Sequence, residues 1–204
     1  MSHTRLDQLS DGIFAIVMTL LVFEIRIPDA VHIASNQELW FVLKNLGTYF
    51  ASYVLSFALL FTYWRAHHFF VSIYAKNIDT ALTNINALFF LLIALIPFSS
   101  SLLGRWSEYE LAIAVFGVHI IMIGMALYAM RNYVLYSPHI KNPEITPREI
   151  HGSTVRTLVP VVFALIAIPL SFINTQVSLV LFTLAVLFNL SAWSTKLFEK
   201  IFKY

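Results

Sequence analysis

The sequence predicts an all-α membrane protein with six transmembrane helices. The chain has 204 residues, of which 59% are hydrophobic and 12% charged, whereas a soluble domain has about 25% charged residues. Apolar stretches close to the ~20 residues that cross a bilayer recur six times. Neither an internal repeat nor a soluble domain is visible, so residues 1–204 are predicted to form a single transmembrane domain.

The six apolar stretches are separated by short polar segments. They cover residues 13–27, 46–63, 82–103, 111–130, 155–173 and 177–193. Hydroxyl and carboxylate residues spaced like capping boxes precede four of them and predict helix starts: Thr4 with Asp7, Ser35 with Glu38, Ser107 with Glu110, and Thr146 with Glu149. Three prolines fall inside stretches, where proline is expected to kink a helix: Pro97, Pro160 and Pro169.

The first stretch is the first candidate for function. Asp7, Ser10 and Asp11 stand at its head, and Thr19 interrupts its apolar run. Polar groups near hydrocarbon usually face a bundle interior or a water-filled path. The head is acidic and no small-x-small cleavage site follows before Pro28, so the segment is not expected to be a cleaved signal peptide.

The basic residues predict the orientation. In a six-helix topology ten Lys and Arg residues fall on one side and three on the other, which places both termini in the cytoplasm. The ten are Arg5, Arg65, Lys76, Arg131, Lys141, Arg148, Arg156, Lys196, Lys200 and Lys203, and the three are Arg26, Lys44 and Arg105.

A helical wheel of the first stretch separates two faces. At about 100° per residue, Gly12, Thr19 and Phe23 lie within about 60° of Ile16. Ser10 and Asp11 lie about 120° to 140° away, and we interpret them as a latch to neighbouring helices of the same subunit. For Thr19 two interpretations stay open: a hydrogen bond back to the carbonyl of Ala15, or a role in an ion path.

The same residues resemble a known signature. Arg5, Leu9-Ser10-Asp11-Gly12, Phe14-Ala15-Ile16 and Thr19-Leu20-Leu21 resemble the first helix of the transmembrane protein 175 family of potassium-permeable channels, whose usual form is Arg-x-x-x-Phe-Ser-Asp. Leu9 in place of Phe is a departure. Weaker similarity follows at Trp64, His67-His68, Asn84, Phe89-Phe90 and Pro97-Phe98, so the resemblance covers about half the chain.

The resemblance implies a homotetramer around a central pore lined by the first helix, with no Thr-Val-Gly-Tyr-Gly filter. It assigns Ile16 and Phe23 to hydrophobic constrictions, Thr19 to a selectivity layer and Gly12 to the pore lining. The residues expected to latch the first helix are Arg5, Ser10, Asp11, Trp64, His67, His68 and Asn84. Which histidine pairs with the latch stays open.

The expected partners are the lipid bilayer and monovalent cations, with K⁺ as the permeant ion and no cofactor. A prokaryotic cell membrane is the expected location.

A net charge of +2 gives no indication of nucleic-acid binding. The absence of cysteine excludes thiolate metal sites and cysteine nucleophiles. His67 and His68 point about 100° apart on a helix, so no metal site is predicted. No convergent acid–base set indicates an enzyme. A proton-permeable leak channel and a secondary transporter are the alternatives.

Three smaller predictions concern packing and pairing. Ala114, Gly117 and Gly124 are suited to close helix contact. His119 is expected to be a hydrogen-bonded histidine inside the bundle. Glu24 is expected to be a solvated carboxylate paired with Arg26 or Lys44.

Overall fold

The structure, a computed structural model, describes residues 3–27 and 33–191. These ranges form eight α-helices: α1 (His3–Leu20), α2 (Asn36–Asn45), α3 (Gly47–His68), α4 (Thr80–Ala94), α5 (Ile96–Trp106), α6 (Glu110–Tyr136), α7 (Pro147–Ser171) and α8 (Thr175–Leu190). A 3-10 turn, Leu21–Glu24, extends α1, and a π-helical turn, Phe69–Ile73, extends α3. The all-α fold class is confirmed.

The apolar helices fall short of the predicted six spans. Four stretches of the described residues are long and apolar enough to cross a membrane: His3–Glu24, Thr80–Trp106, Glu110–Tyr136 and Gly152–Ser171. The pair α2 and α3, bent by 42°, counts as a fifth if it crosses as one unit. The sixth, α8, has 16 residues. Trp193, Lys196, Lys200 and Lys203 lie outside the described residues.

Two of the four predicted caps form. The Ser35 hydroxyl accepts the Glu38 N–H at 3.2 Å, and Thr146 and Glu149 make a complete capping box at the start of α7. The other two predictions are wrong. Thr4 lies inside α1, and α6 begins after Tyr109, whose side chain makes no cap.

The third predicted span is interrupted near its middle. Leu95 separates α4 from α5, and Pro97 occupies the first turn of α5. Because proline has no N–H and its ring crowds the carbonyl four residues earlier, the helix is interrupted at this point. The Leu95 N–H turns back to the Leu92 carbonyl at 3.1 Å.

Helices α6 and α7 approach closely at the two glycines singled out in the sequence. A Cβ at Gly117 would lie 2.7 Å from Cγ1 of Ile168, and one at Gly124 would overlap Cγ2 of Val161. Glycine is therefore used at these positions for contact within the subunit. The predicted close packing is confirmed for both.

Helix α7 runs through Pro160 without ending. Proline at this position leaves the carbonyl of Arg156, four residues earlier, without its usual partner. The Asn189 side chain donates to that carbonyl at 3.3 Å. The Asn189 carbonyl in turn accepts from Arg65 at 2.9 Å, so this residue of α8 joins α3 and α7.

Contacts of charged residues occur at two ends of the described bundle. At one end, His3 lies 3.0 Å from the Lys76 carbonyl, and the Lys76 N–H donates to Ile140 at 2.6 Å. We call this the basic end. At the opposite end, Arg105 pairs with Glu24 at 3.7 Å. The predicted topology and the cytoplasmic orientation of this end stay predictions.

A candidate pore face on the first helix

Helix α1 has one buried face and one exposed face. The buried face consists of Leu6, Ser10, Phe14, Val17 and Leu21, which recur at intervals of three and four residues. They pack against α3, α4 and α5. The helix is therefore attached to its own subunit along a single stripe.

The opposite face carries the residues predicted to line a pore. Ile16 is 60% exposed and Phe23 58% exposed, and Gly12 and Thr19 are exposed beside them. No side chain of the described residues covers Gly12 within 4 Å of where a Cβ would lie. The four residues thus share an uncovered surface that runs along the helix.

Thr19 uses its proton within its own helix. Its hydroxyl reaches the carbonyls of Ala15 at 2.9 Å and Ile16 at 2.8 Å. This is the back-bonded geometry weighed in the sequence. A hydroxyl oxygen whose proton is donated keeps its lone pairs as acceptors. Back-bonding and exposure therefore leave Thr19 with an oxygen available to a cation, and the two interpretations are compatible.

On the buried face, Ser10 is joined to a buried histidine. The Ser10 hydroxyl lies 3.1 Å from Nδ1 of His67, and Nε2 of His67 contacts Oδ1 of Asn86 at 2.5 Å. The Asn86 amide donates to the Leu82 carbonyl at 2.8 Å. Since that amide oxygen only accepts, Nε2 carries the histidine proton, and Nδ1 accepts from Ser10.

The predicted residue Asn84 does not take part in this contact. Asn84 is exposed, whereas Asn86 is 1% exposed and faces His67. Two residues along a helix are about 200° apart, so the two asparagines point in nearly opposite directions. The prediction of Asn84 as a latch residue is wrong. Asn86 shares the buried face of α4 with Leu82, Phe89 and Ile93. The sequence of this largely apolar helix does not distinguish that face.

Aromatic rings surround the His67 side chain. The His67 ring stacks on Phe89 with centroids 5.3 Å apart and planes inclined by 6°. Phe14 lies 6.4 Å from His67 and 6.1 Å from Phe89. His67 therefore fixes α1 to α3 and α4 through both hydrogen bonds and ring contacts.

Asp11 makes the second polar contact of α1. Its Oδ1 accepts from Nε1 of Trp64 at 2.8 Å. His68 is exposed and stacks on Trp64 rather than on α1, with centroids 6.3 Å apart. His67, not His68, is thus the histidine that pairs with the first helix. Arg5 is exposed.

A third contact was missed by sequence reasoning. The Ser72 hydroxyl donates to Asp7 at 2.7 Å, which joins α1 to the π-helical turn. These three contacts, and that of His3 with the Lys76 carbonyl, lie in the first half of α1. In the 3-10 turn that extends α1, Glu24 pairs with Arg105, rather than Arg26 or Lys44 as predicted. Arg26 instead donates to the Phe23 carbonyl at 2.7 Å.

His119 is bonded at both ring nitrogens, as predicted. Nδ1 lies 2.8 Å from the Ser99 hydroxyl and Nε2 lies 2.9 Å from the Leu92 carbonyl. The Leu92 carbonyl beside the Leu95 interruption therefore contacts both the Leu95 N–H and the His119 ring. Within the described residues, no three His, Cys, Asp or Glu side chains are grouped as metal ligands.

Comparison with known proteins gives a family match and several relatives. Residues 5–97 match the sequence model described as endosomal/lysosomal potassium channel TMEM175. A protein named potassium channel from Chamaesiphon minutus is 28% identical over 190 residues, which are 91% of this chain and 93% of that protein. A protein named potassium channel from Streptomyces collinus is 25% identical over 179 residues, which are 86% of this chain and 85% of that protein.

One animal relative and one solved structure extend the comparison. The mouse protein named endosomal/lysosomal proton channel TMEM175 is 27% identical over 187 residues, which are 84% of this chain and 36% of the mouse protein. The crystal structure of a lysosomal potassium-selective channel TMEM175 homolog from Chamaesiphon minutus matches with a TM-score of 0.80. The match covers 95% of this chain and 97% of that chain at 24% identity. At this identity the likeness shows a shared fold.

Proposed function

We propose that the chain is a member of the TMEM175 family of ion channels and forms a potassium-permeable cation channel. The match of residues 5–97 to the family model and the relatives named potassium channels support this proposal. The single observation that carries the proposal is the exposed face of α1, where Gly12, Ile16, Thr19 and Phe23 lie uncovered by their own subunit. In this proposal the face lines a central pore. No carbonyl filter loop takes part.

Ile16 is proposed to form the narrow constriction. Symmetry copies of an exposed isoleucine around an axis make a short apolar ring, and water and ions leave such rings when they are narrow. Phe23 forms a second apolar ring, about two turns further along the helix. The two rings close the path without any charged side chain.

Thr19 is proposed to form the selectivity layer between these rings. Its hydroxyl oxygen keeps acceptor lone pairs, because its proton is directed to the Ala15 and Ile16 carbonyls. A ring of such oxygens replaces part of the hydration shell of a cation. Potassium gives up its shell more readily than sodium, so a weak ring of this kind favours potassium modestly.

A homotetramer is proposed because the exposed face of α1 is accompanied by apolar stripes on two other helices. On α3 the stripe is Phe50, Val54, Phe57 and Phe61. On α4 it is Leu88 and Leu91, continued by Leu95 directly after the helix. A cyclic assembly places different surfaces of neighbouring subunits in contact. In the proposed ring, the α3 stripe of one subunit packs on the α4 stripe of the next.

The remaining topology is part of the same proposal. The chain crosses the bilayer six times as one domain, residues 1–204, with α8 as the last span. The basic end lies in the cytoplasm by the positive-inside rule. The proposed location is the cell membrane of a prokaryote, and the permeant ion is the only small partner.

The experiment measures potassium and sodium flux into proteoliposomes for the parent protein and for Ile16→Asn. We expect Ile16→Asn to raise the resting flux of both ions by about tenfold or more, because a polar ring removes the dewetting barrier. The matched control is Leu165→Asn, since Leu165 is 56% exposed on α7, far from the proposed pore.

Three results separate the proposal from its alternatives. Equal flux for Ile16→Asn and the parent would contradict the proposed constriction. Proton flux in place of potassium flux in the parent would indicate a leak channel of the kind named in the mouse relative. Saturable exchange that requires a second ion would indicate a secondary transporter.

A further inference from the structure

A crevice at the basic end lies outside the proposed pore. It opens between the end of α3, the π-helical turn and the first half of α7, and has a volume of about 260 Å³ with a smaller extension of about 40 Å³. Ala66, Phe69, Arg156 and Thr157 line both parts. We call it the arginine crevice, because Arg65 and Arg156 line its inner extension together.

Two arginines line the crevice, and a third lies close to it. The buried guanidinium of Arg131 lies behind its wall, where it donates to the Ser153 hydroxyl at 2.9 Å and to the Ile150 carbonyl at 2.7 Å. One carboxylate, that of Glu149, also lines the crevice. It accepts two hydrogen bonds of 2.8 Å from Thr146, so it is directed to the start of α7.

Asn189 joins the Arg65 side chain to the backbone of α7 at the crevice. Its carbonyl accepts from the Arg65 guanidinium at 2.9 Å, and its side chain donates to the Arg156 carbonyl at 3.3 Å. The second bond depends on Pro160, which leaves that carbonyl unused by its own helix. Arg65 donates to this carbonyl through one guanidinium nitrogen, and the N–H groups of its other two nitrogens can donate to a ligand.

The depth of the crevice matches the region of lipid headgroups. The continuous apolar run of α7 begins at Leu158, two residues after Arg156, so Arg156 lies about 3 Å along the helix from the start of that run. Phe69, Pro160 and Leu127 supply an apolar wall beside the charges. A ligand with a negative head and an apolar tail meets both surfaces at once.

We propose that the arginine crevice binds the phosphate group of an anionic phospholipid from the leaflet at the basic end. Guanidinium groups donate paired hydrogen bonds to phosphate oxygens, and basic pockets between transmembrane helices are typical sites for anionic headgroups. The lipid joins α3, α7 and α8 at a position separate from the α1 face.

The first test uses the unaltered protein. Purified protein is equilibrated with equal amounts of phosphatidylglycerol and phosphatidylcholine, and the retained lipids are counted by native mass spectrometry. We expect retained phosphatidylglycerol to exceed phosphatidylcholine by at least about fivefold, the effect of one arginine near a charged headgroup. Equal retention of the two lipids would overturn the proposal without any variant.

The second test removes each charge in turn. Arg65→Gln and Arg156→Gln are each expected to reduce the preference for phosphatidylglycerol about fivefold, while Arg65→Lys and Arg156→Lys retain part of it. Lys141→Gln is the control, because it removes one charge at the same end outside the crevice. An equal loss in Lys141→Gln would show general charge attraction and contradict the site.

The third test distinguishes lipid from soluble phosphate. Inorganic phosphate at 1 mM is added to the protein with phosphatidylglycerol bound. Retention of the lipid supports a headgroup site, and its complete displacement would overturn the lipid assignment in favour of a soluble anion.

Discussion

At the scale of single residues, one carboxylate can accept hydrogen bonds from several segments of the chain at once. Asp79 is an example at the basic end. Its carboxylate accepts the Leu82 N–H at 2.8 Å as the N-cap of α4, and it also accepts from Tyr133 and lies 3.1 Å from His139. These bonds favour the ionised form, with the backbone bond foremost, and lower the pKa of Asp79 to about 2.

The lowered pKa of Asp79 predicts an acid-dependent contribution to stability. A depressed carboxyl pKa stabilises the fold above the unfolded value, about 3.9, and this contribution is lost as the pH falls towards 2. Asp79→Asn keeps a capping oxygen but has no charge. We expect it to melt at a lower temperature than the parent at pH 7, with the difference narrowing between pH 5 and pH 2.

Thermal unfolding followed by circular dichroism measures this difference. Glu144→Gln, which neutralises an exposed carboxylate in the loop before α7, serves as the control. A gap between Asp79→Asn and the parent that stays constant from pH 7 to pH 2 would contradict the role given to the charge.

At the scale of helices, small side chains determine how closely two neighbouring helices pack. Gly124 on α6 faces Val161 on α7 with no space for a methyl group. At Gly152 on α7, no described atom lies within 4 Å of where a methyl group would be. The same substitution therefore has opposite expected effects at the two positions.

Gly124→Ala is expected to destabilise the protein by about 1–3 kcal/mol, the cost of adding a methyl to a filled contact. Gly152→Ala is expected to be neutral or to stabilise by about 0.5–1 kcal/mol, because alanine is the better helix former. Melting temperatures of the two variants in one detergent measure the contrast. A lower melting temperature for Gly152→Ala than for Gly124→Ala would contradict the packing argument.

The sequence predicts which face of a helix is buried only when polar residues distinguish that face from the others. On α1, Ser10 and Asp11 lie on a different side of the helical wheel from Ile16. The wheel therefore separated the side that carries Ile16 from the side that contacts neighbouring helices. Helix α4 is apolar on most sides, and the choice between Asn84 and Asn86 required knowing which side meets His67. The predicted cap of α6 was wrong for another reason. Ser107 and Glu110 have the spacing of a capping box, but Tyr109, not Ser107, is the residue directly before the helix.

At the scale of the whole molecule, the apolar surface indicates how copies of the chain are expected to meet. Val54 on α3 is 60% exposed and Leu91 on α4 is 60% exposed. In the proposed tetramer these stripes face each other, whereas Ile166 on α7, 48% exposed, faces lipid. Lipid accommodates a larger side chain, but a packed protein interface does not.

Val54→Trp is therefore expected to lower the tetrameric fraction several-fold, and Ile166→Trp to leave it unchanged. Size-exclusion chromatography with light scattering in mild detergent measures the fraction. Intact tetramers in Val54→Trp, or equal loss in both variants, would contradict the proposed arrangement of subunits.

The uneven attachment of α1 has a mechanical consequence. Its hydrogen bonds to neighbouring segments, from His3, Asp7, Ser10 and Asp11, all lie near one extremity. The other extremity is held by the apolar packing of Leu21 and by the partly exposed ion pair of Glu24 with Arg105, which is the weaker attachment. Phe23 stands about 20 Å beyond Ser10. A rod clamped at its foot amplifies small rotations, so a tilt of about 5° displaces Phe23 by roughly 2 Å while Gly12 hardly moves.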